Sequence, residues 1–148
     1  MFMGGASTMF MERELAFIQS QRLLRLATVA ADGQPDADAV GFVFDGTQFI
    51  IGGHKLAGSR KYRNVAGGNR KVSLILDDLA SVEPWAPRGI KVHGVATAEQ
   101  RVGQFGPGDY LVVRPVVTWS WGIEGDSFTG GRFAPHKIIW PRPAESEG

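Results

Sequence analysis

The sequence predicts a mainly β protein with a single domain, an antiparallel β-barrel with a short helix at its mouth. Three observations lead to this fold class. About six strand-like apolar runs follow one another at regular spacing along the 148 residues, and turn signals separate them. Asp-Gly dipeptides join the first three runs, as in a β-meander. Only two segments have the composition of a helix, and both are short.

The first predicted element is an amphipathic helix from about Glu12 to Arg22. Leu15 and Ile18 share one of its faces, and no Gly or Pro interrupts it. Three strands joined by two Asp-Gly turns are expected next, and together they predict an antiparallel meander. These strands span Leu24–Ala30, Pro35–Phe44 and Thr47–Gly53.

A second helix and three longer strands follow. The helix runs from about Arg60 to Ala66, and Gly67-Gly68 end it. The strands span Lys71–Asp78, Gly89–Gln100 and Tyr110–Trp121, with a Gly-Pro turn region at Gln104–Asp109 between the last two. Pro115 predicts an edge or a bulge in the middle of the last strand. Residues 124–132 are expected to form a loop, and at most one short strand follows.

One domain is expected over residues 10–142, because a chain of this length can bury a core of its own. Residues 1–9 are predicted to be a disordered lead-in, and residues 143–148 a frayed tail. The sequence contains no internal repeat.

Charge and composition exclude several classes of protein. The formal net charge is +1, which argues against nucleic acid as the main partner, because phosphate-backbone binding needs a broad basic face. The absence of cysteine excludes disulfides, thiolate catalysis and thiolate metal sites. Since no apolar run approaches the length of a membrane span and the start lacks a basic leader, we expect a cytoplasmic protein with no membrane partner.

The segment most suggestive of function is GGHKLAGSRKYRNVAGGN, Gly52 to Asn69, called the basic stretch below. Its four cations are Lys55, Arg60, Lys61 and Arg63. A strand that ends in Gly-Gly and leads to a helix capped by Ser59 offers backbone amides and positive charge to a phosphate. A solvated loop that is basic by chance is the alternative interpretation.

The histidines do not predict a metal site. His54, His93 and His136 lie far apart in the sequence, so no local pair of ligands exists. His54 deserves more interest than the others because it lies at a strand end just before the basic helix. No GxSxG sequence marks a nucleophilic serine.

Two acidic pairs and one aromatic have both a structural and a functional interpretation. Asp36 and Asp38 share one face of a strand, where like charges can shift a pKa, although such a pair more often marks a solvent-facing edge. Asp77-Asp78 is expected to end a strand and start a loop. Trp85 lies between prolines near Arg88, and an aromatic beside an arginine can cover a planar ring. The other tryptophans are expected in the core or at a dimer interface.

The order of several segments resembles the split β-barrel flavoprotein family named after pyridoxamine 5′-phosphate oxidase. These segments are RLATVAADGQP, the Gly-Gly strand end, SRKYRNV, VSLILDD and PWAPRGIKVHG. They cover roughly Phe10 to Trp121, and RKYRN between two strands is the most specific of them. The chain is most similar to the branch that uses the deazaflavin coenzyme F420. The resemblance implies a split β-barrel of about six antiparallel strands with two or so short helices.

The resemblance also implies a cofactor site. Its residues are Gly53, His54, Ser59, Arg60, Lys61, Arg63, Asn64, Trp85 and Arg88. The five from Ser59 to Asn64 would hold the cofactor phosphate and its extension, with Lys61 as the first candidate. Gly53 and His54 would lie beside the ring or its ribityl chain. Trp85 and Arg88 would close over the cofactor, from the same chain or from a partner subunit. A partner is an option because the family is typically homodimeric with sites at the interface.

The activity implied is hydride transfer between reduced F420 and a small organic substrate. The cofactor performs the difficult step, so no conspicuous catalytic residue is required, and Tyr62 or His54 is a candidate proton donor. FMN, which also ends in a phosphate, is the alternative cofactor. A non-catalytic F420 or flavin carrier, or a haem protein with His54 or His136 as ligand, are further alternatives.

Two departures from the family pattern affect these expectations. Asp36 and Asp38 occupy a strand where relatives carry His, Pro or Asn, and they would either repel the anionic tail of the coenzyme or face solvent. The C-terminal segment HKIIWPRPAESEG lacks the basic substrate site of a true pyridoxamine phosphate oxidase. That specific activity is therefore rejected.

Overall fold

The computed structural model describes residues 8–123 and 135–142. Two helices lie in these ranges, α1 (Glu12–Ser20) and α2 (Arg60–Ala66), and a single 3₁₀ turn (Leu56–Gly58) directly precedes α2. The strands are β1 (Leu23–Val29), β2 (Pro35–Gly41), β3 (Val43–Phe44), β4 (Phe49–Ile51), β5 (Lys71–Ser81), β6 (Ala86–Gly103), β7 (Gly106–Trp121) and β8 (His136–Ile139). The loop expected at residues 124–132, the tail at 143–148 and residues 1–7 of the lead-in fall outside the described ranges. No helix within those ranges is long and apolar enough to cross a membrane.

All the strands belong to one antiparallel sheet. Its order is β2-β1-β5-β6-β7-β4-β3, with β8 added to β7. The two ends of this order, β2 and β3, are separated in the chain by Phe42 alone. The sheet must therefore curve until its two edges lie next to each other, although no ladder between described residues closes it. This open barrel confirms the predicted mainly β fold and the split barrel of the resembling family.

The predicted meander is correct at both turns and wrong between them. β1 pairs with β2 and β3 pairs with β4, so both Asp-Gly hairpins are confirmed. The predicted single strand Pro35–Phe44 is divided at Phe42, and its halves pair on opposite edges of the sheet. The physical reason is curvature, because one extended segment can serve both edges of a sheet that curls back on itself.

The core joins helix α1 to one face of the sheet. Leu24 and Leu26 of β1 alternate with exposed residues, and Val72, Leu74 and Leu76 of β5 are buried in the same alternating way. Since side chains alternate between the two faces of a strand, these five share the inner face. Helix α1 adds its own buried residues, Glu14, Phe17 and Ile18. It ends two residues earlier than predicted, because β1 already begins at Leu23.

The longest feature is the hairpin of β6 and β7, which have 18 and 16 residues. The pairing shifts by one residue between His93 and Gly94, opposite Val117 and Pro115. Val116 is therefore the extra residue of a bulge, which confirms the irregularity predicted from Pro115. The turn predicted at Gln104–Asp109 lies within that region but is shorter than predicted, because Gly103 pairs with Gly106 and only two residues turn the chain. Pro107 is tolerated in the strand because β4 reaches β7 only from Leu111 onwards.

Candidate functional site

Helix α2 forms where the sequence predicts it, between β4 and β5. Its N-cap is Ser59, whose Oγ accepts a hydrogen bond from the backbone amide of Tyr62 at 3.3 Å. The same hydroxyl donates to the carbonyl of Leu56 at 2.6 Å, which joins the 3₁₀ turn to the helix. Gly68, at φ +120°, reverses the chain after the last turn. Ser59 is thus fully occupied in shaping the basic stretch.

The backbone just before α2 leaves room for a ligand to approach it closely. A side chain at Gly52 would overlap the ring of Tyr110. Gly53 has φ +147°, a conformation that favours glycine, and its free side lies in open space. Lys55 is left-handed at φ 58°. His54 and Lys55 are exposed, so the strand end presents bare backbone and two polar side chains to solvent.

Lys61 points toward the sheet and not into solvent. Its Nζ lies 3.2 Å from Oδ2 of Asp38, and its side chain is only 15% exposed, against 42% for Asp38. An ion pair of this partly exposed kind contributes at most about 1 kcal/mol to stability. The residue that the resemblance places first at the phosphate therefore already has an internal counter-ion.

The prediction that Asp36 and Asp38 mark a solvent-facing edge is correct for the edge, since β2 ends the sheet order, but the pair faces the inner side of the sheet. In the pairing of β1 with β2, Asp36 lies opposite Thr28 and Asp38 opposite Leu26. Residues directly opposite in a ladder share a face, and both partners are buried. The pair is half-buried on the inner face beneath α2. The helix contacts both β1 and β2, which is why Asp38 meets its lysine.

Asn64 has a similar role to Lys61. Its Nδ2 donates to Oγ1 of the buried Thr28 at 3.0 Å. Lys61 and Asn64 are three residues apart and so lie on the same side of the helix. Both side chains therefore fasten α2 to the first two strands.

The other cations of the basic stretch lie on the outer side. Arg60 and Arg63 are exposed, and Arg63 Nη1 donates to the carbonyl of Gly58 at 2.5 Å. Within the described ranges neither Lys55 nor Arg60 has an ion-pair partner. The basic stretch therefore divides into an inner side that packs and an outer side, Lys55, Arg60 and Arg63, that offers charge to a ligand.

Tyr62 connects α2 to strand β7. Its hydroxyl donates to Oδ1 of Asp109 on β7 at 3.3 Å, and Nε2 of Gln100 donates to the same oxygen. Partial burial, the Asp109 charge and this hydrogen bond together raise the pKa of Tyr62. A phenol with a raised pKa releases its proton reluctantly, which weakens Tyr62 as a proton donor.

Trp85 and Arg88 lie at the opposite end of the sheet from α2. Lys71, just after α2, pairs with Val95, whereas Arg88 pairs with Asp78. The seven steps from Arg88 to Val95 span about 23 Å along a strand. One chain therefore does not bring these two side chains to the basic stretch. Trp85 is 68% exposed in the turn between β5 and β6.

Arg88 is engaged in the fold. Its Nε and Nη2 donate to the two carboxylate oxygens of Asp78 at 2.8 and 2.7 Å, and its guanidinium lies 5.1 Å from the ring centre of Phe17. The hydrogen bonds from Arg88, opposed by partial burial and aided by Gln21, lower the pKa of Asp78. The expectation that Asp77-Asp78 ends a strand is wrong, since β5 continues to Ser81. The strand continues because Arg88 pairs with Asp78 across the ladder.

Sequence reasoning missed a buried cluster on α1. Glu14 is fully buried, and its Oε2 accepts from Ser120 Oγ at 2.5 Å and lies 2.9 Å from His136 Nδ1. Its other oxygen accepts from the Met11 amide at 2.8 Å. The only sequence signal was a glutamate in the first turn of a helix. His136, considered as a haem ligand, is thus bonded to a buried carboxylate.

The remaining histidines have separate surroundings. His93 meets the ring of Trp119 edge-on at 4.8 Å, while His54 is exposed before the 3₁₀ turn. In the part of the chain that the structure describes, no three metal-ligating side chains come together.

Three comparisons with known proteins agree with this fold. Residues 10–109 match the family model described as pyridoxamine 5′-phosphate oxidase. The chain is 35% identical over 128 residues to the 5a,11a-dehydrotetracycline/5a,11a-dehydrooxytetracycline reductase of Streptomyces rimosus, covering 82% of this chain and 89% of that protein. This similarity supports an oxidoreductase.

Solved structures show the same architecture. A conserved hypothetical protein from Mycobacterium tuberculosis superposes with TM-score 0.61 and 25% identity, over 82% of this chain and 90% of its own. An F420 reductase superposes with TM-score 0.52 and 24% identity, over 66% of this chain and 89% of its own. The family model, the reductase sequence and the open barrel lead to one conclusion: the chain belongs to the pyridoxamine 5′-phosphate oxidase family.

Proposed function

We propose that this protein is an F420-dependent oxidoreductase that transfers a hydride between the reduced deazaflavin coenzyme and a small organic substrate. The observation that carries the proposal is the 35% identity to a reductase over 82% of the chain. The basic stretch adds support, because a phosphate-bearing coenzyme needs fixed cations and the outer side of α2 provides them.

The chain's own residues would hold and shield the coenzyme. Arg60 and Arg63 would contact the phosphate and its extension from the outer side of α2, with Lys55 beside them. Lys61 would contribute from beneath, where one N–H is directed to Asp38 and the ammonium group carries two further N–H donors. Gly53 would let the ring or ribityl chain approach the backbone, since no side chain fills that space.

The substrate class follows from the relative's name. A dehydro compound becomes its reduced product by addition of two hydrogens across a carbon–carbon double bond. Bound reduced F420 would supply the two electrons as a hydride to one carbon, and a proton from solvent would add to the other. We infer a conjugated ring compound for this protein as well. The residues would position this compound against the ring and exclude water.

A homodimer would complete the site. Arg88 lies about 23 Å along β6 from Val95, which pairs with Lys71 at the start of β5 after α2, so a second copy is the source that would bring an equivalent pair to the basic stretch. The end of β5 and the turn that follows it also carry exposed apolar side chains, Leu79 in the strand and Val82 and Trp85 in the turn. Exposed apolar groups of this kind are typical of an interface. Sedimentation of the parent and of Trp85→Ala tests this step, and a monomeric parent would refute it.

The proposal is tested by titrating purified protein with F420 and with FMN, followed by turnover. We expect F420 to bind and its reduced form to be oxidised by a conjugated dehydro substrate. Tighter binding of FMN would move the protein to the flavin-dependent alternative of the same fold. Tight binding of F420 without turnover against a panel of such substrates would favour the carrier alternative. Binding of neither coenzyme would refute the proposal.

A further inference from the structure

We propose that Asp38 shifts the selectivity of the basic stretch toward a phosphodiester and away from a phosphomonoester. F420 carries a phosphodiester with one negative charge, whereas FMN ends in a monoester with a charge near −2 at neutral pH. The inference rests on the proposed function, since it assumes that the coenzyme phosphate lies at Lys61. It names a specificity-determining residue at that site.

The first step is the position of Asp38. Its Oδ2 lies 3.2 Å from Lys61 Nζ, and the lysine side chain is only 15% exposed. Limited exposure leaves Asp38 as the main partner of that ammonium group. The inner side of α2 thus meets a ligand as a neutral pair and not as a free cation.

The second step is the resulting charge balance. Of the four cations in the basic stretch, Lys61 is offset by Asp38, and Asp36 adds another carboxylate two residues along the same face. Lys55, Arg60 and Arg63 remain on the outer side. A phosphate next to Lys61 gains attraction from these cations but is repelled by Asp38.

The third step is arithmetic. The Coulomb energy between Asp38 and the phosphate is proportional to the charge of the phosphate. The repulsion energy of a dianion is therefore about twice that of a monoanion. Doubling the energy squares the affinity ratio, so a penalty of about threefold for a diester becomes about ninefold for a monoester. Asp38 shifts selection toward the diester without contacting the flavin ring.

The experiment compares the dissociation constants of FMN, F420 and riboflavin for the parent, Asp38→Asn and Asp38→Glu. The titrations are made at about 0.15 M salt, where the distant carboxylates of the F420 tail are screened. Removing the charge should tighten FMN about ninefold and F420 about threefold. Riboflavin lacks the phosphate, so its affinity should not change. Asp38→Glu keeps the charge and should keep the parent's FMN-to-F420 ratio, and Asp38→Ser is a second neutral variant should Asp38→Asn unfold.

Asp36→Asn is the matched control, because it removes the same charge from the same face at a position with a different cross-strand partner. We expect it to change the FMN-to-F420 ratio less than twofold, and we expect high salt to reduce the Asp38→Asn effect. Equal tightening of both coenzymes, or no tightening of FMN, would overturn the role of Asp38 alone. Failure of the parent to bind either coenzyme would overturn the proposed function and this inference with it.

Discussion

The two ends of the barrel contain arginines that look alike in the sequence and behave differently in the fold. At the α2 end, Arg60 and Arg63 are exposed, and their charges face solvent. At the other end, Arg88 gives two donors to Asp78 and packs on Phe17. A basic motif therefore does not reveal which charges are free. The carboxylates that decide this lie on other strands, Asp38 on β2 and Asp78 on β5.

The largest effect is expected at Glu14 of α1, the helix on which Arg88 packs through Phe17. Glu14→Gln should lower the free energy of unfolding by about 1–3 kcal/mol, because the buried carboxylate accepts from three groups and an amide leaves some of them unsatisfied. Urea unfolding measures this. Glu12→Gln, exposed on the same helix, is the control and should cost far less. Coenzyme affinity should stay at the parent value in both variants, and a large loss would break the separation of the two ends.

The next effect is expected at the α2 end. Replacing Arg60 and Arg63 together by alanine should weaken F420 binding about tenfold or more, because two charge-assisted contacts are lost. The free energy of unfolding should change by no more than about 1 kcal/mol, since both side chains are exposed and the only hydrogen bond described for them is the one from Arg63 to the carbonyl of Gly58. Arg22→Ala, exposed after α1, controls for a general change in charge. Unchanged affinity in the double variant would show that the outer side of α2 is not the phosphate contact.

A smaller effect concerns acid stability at the Arg88 end. The Asp78 carboxyl has its pKa lowered below the ordinary 3.8 by Arg88, so its contribution to stability is present above pH 3.8 and is lost as pH falls through the folded-state pKa. Asp78→Asn should flatten the loss of stability in that acid window and cost up to about 1 kcal/mol at neutral pH.

Thermal unfolding at several pH values measures the slope for Asp78→Asn. Asp77→Asn is the comparison, because Asp77 is more exposed and its contact to Arg25 is longer, at 3.5 Å. Identical slopes in the parent and in Asp78→Asn would refute the assignment.

The smallest effect is expected for Tyr62→Phe. The variant loses one hydrogen bond of 3.3 Å to Asp109, which is worth at most about 1 kcal/mol. Since burial and Asp109 raise the pKa of this phenol, turnover should stay within about twofold of the parent. A fall of a hundredfold or more with unchanged coenzyme affinity would establish Tyr62 as the proton donor.

Local signals predicted the elements well. Two Asp-Gly turns, the Ser59 cap and the glycines after Ala66 lie close to the backbone they control, so α2 and both hairpins form as expected. Strand ends were less predictable. Asp78 stays in β5 because Arg88 pairs with it across the ladder, and the division at Phe42 follows from the curvature of the whole sheet.

The mainly β fold, the short basic helix after a glycine strand end and the resemblance to one flavoprotein family could all be predicted from the sequence. These features depend on residues that are neighbours in the chain. Three contacts became visible in the folded structure alone: Lys61 faces Asp38, Tyr62 reaches Asp109, and Arg88 forms an ion pair with Asp78. The reason is physical: a charge acts through the groups nearest in space, and sheet pairing, not sequence distance, brings those groups together.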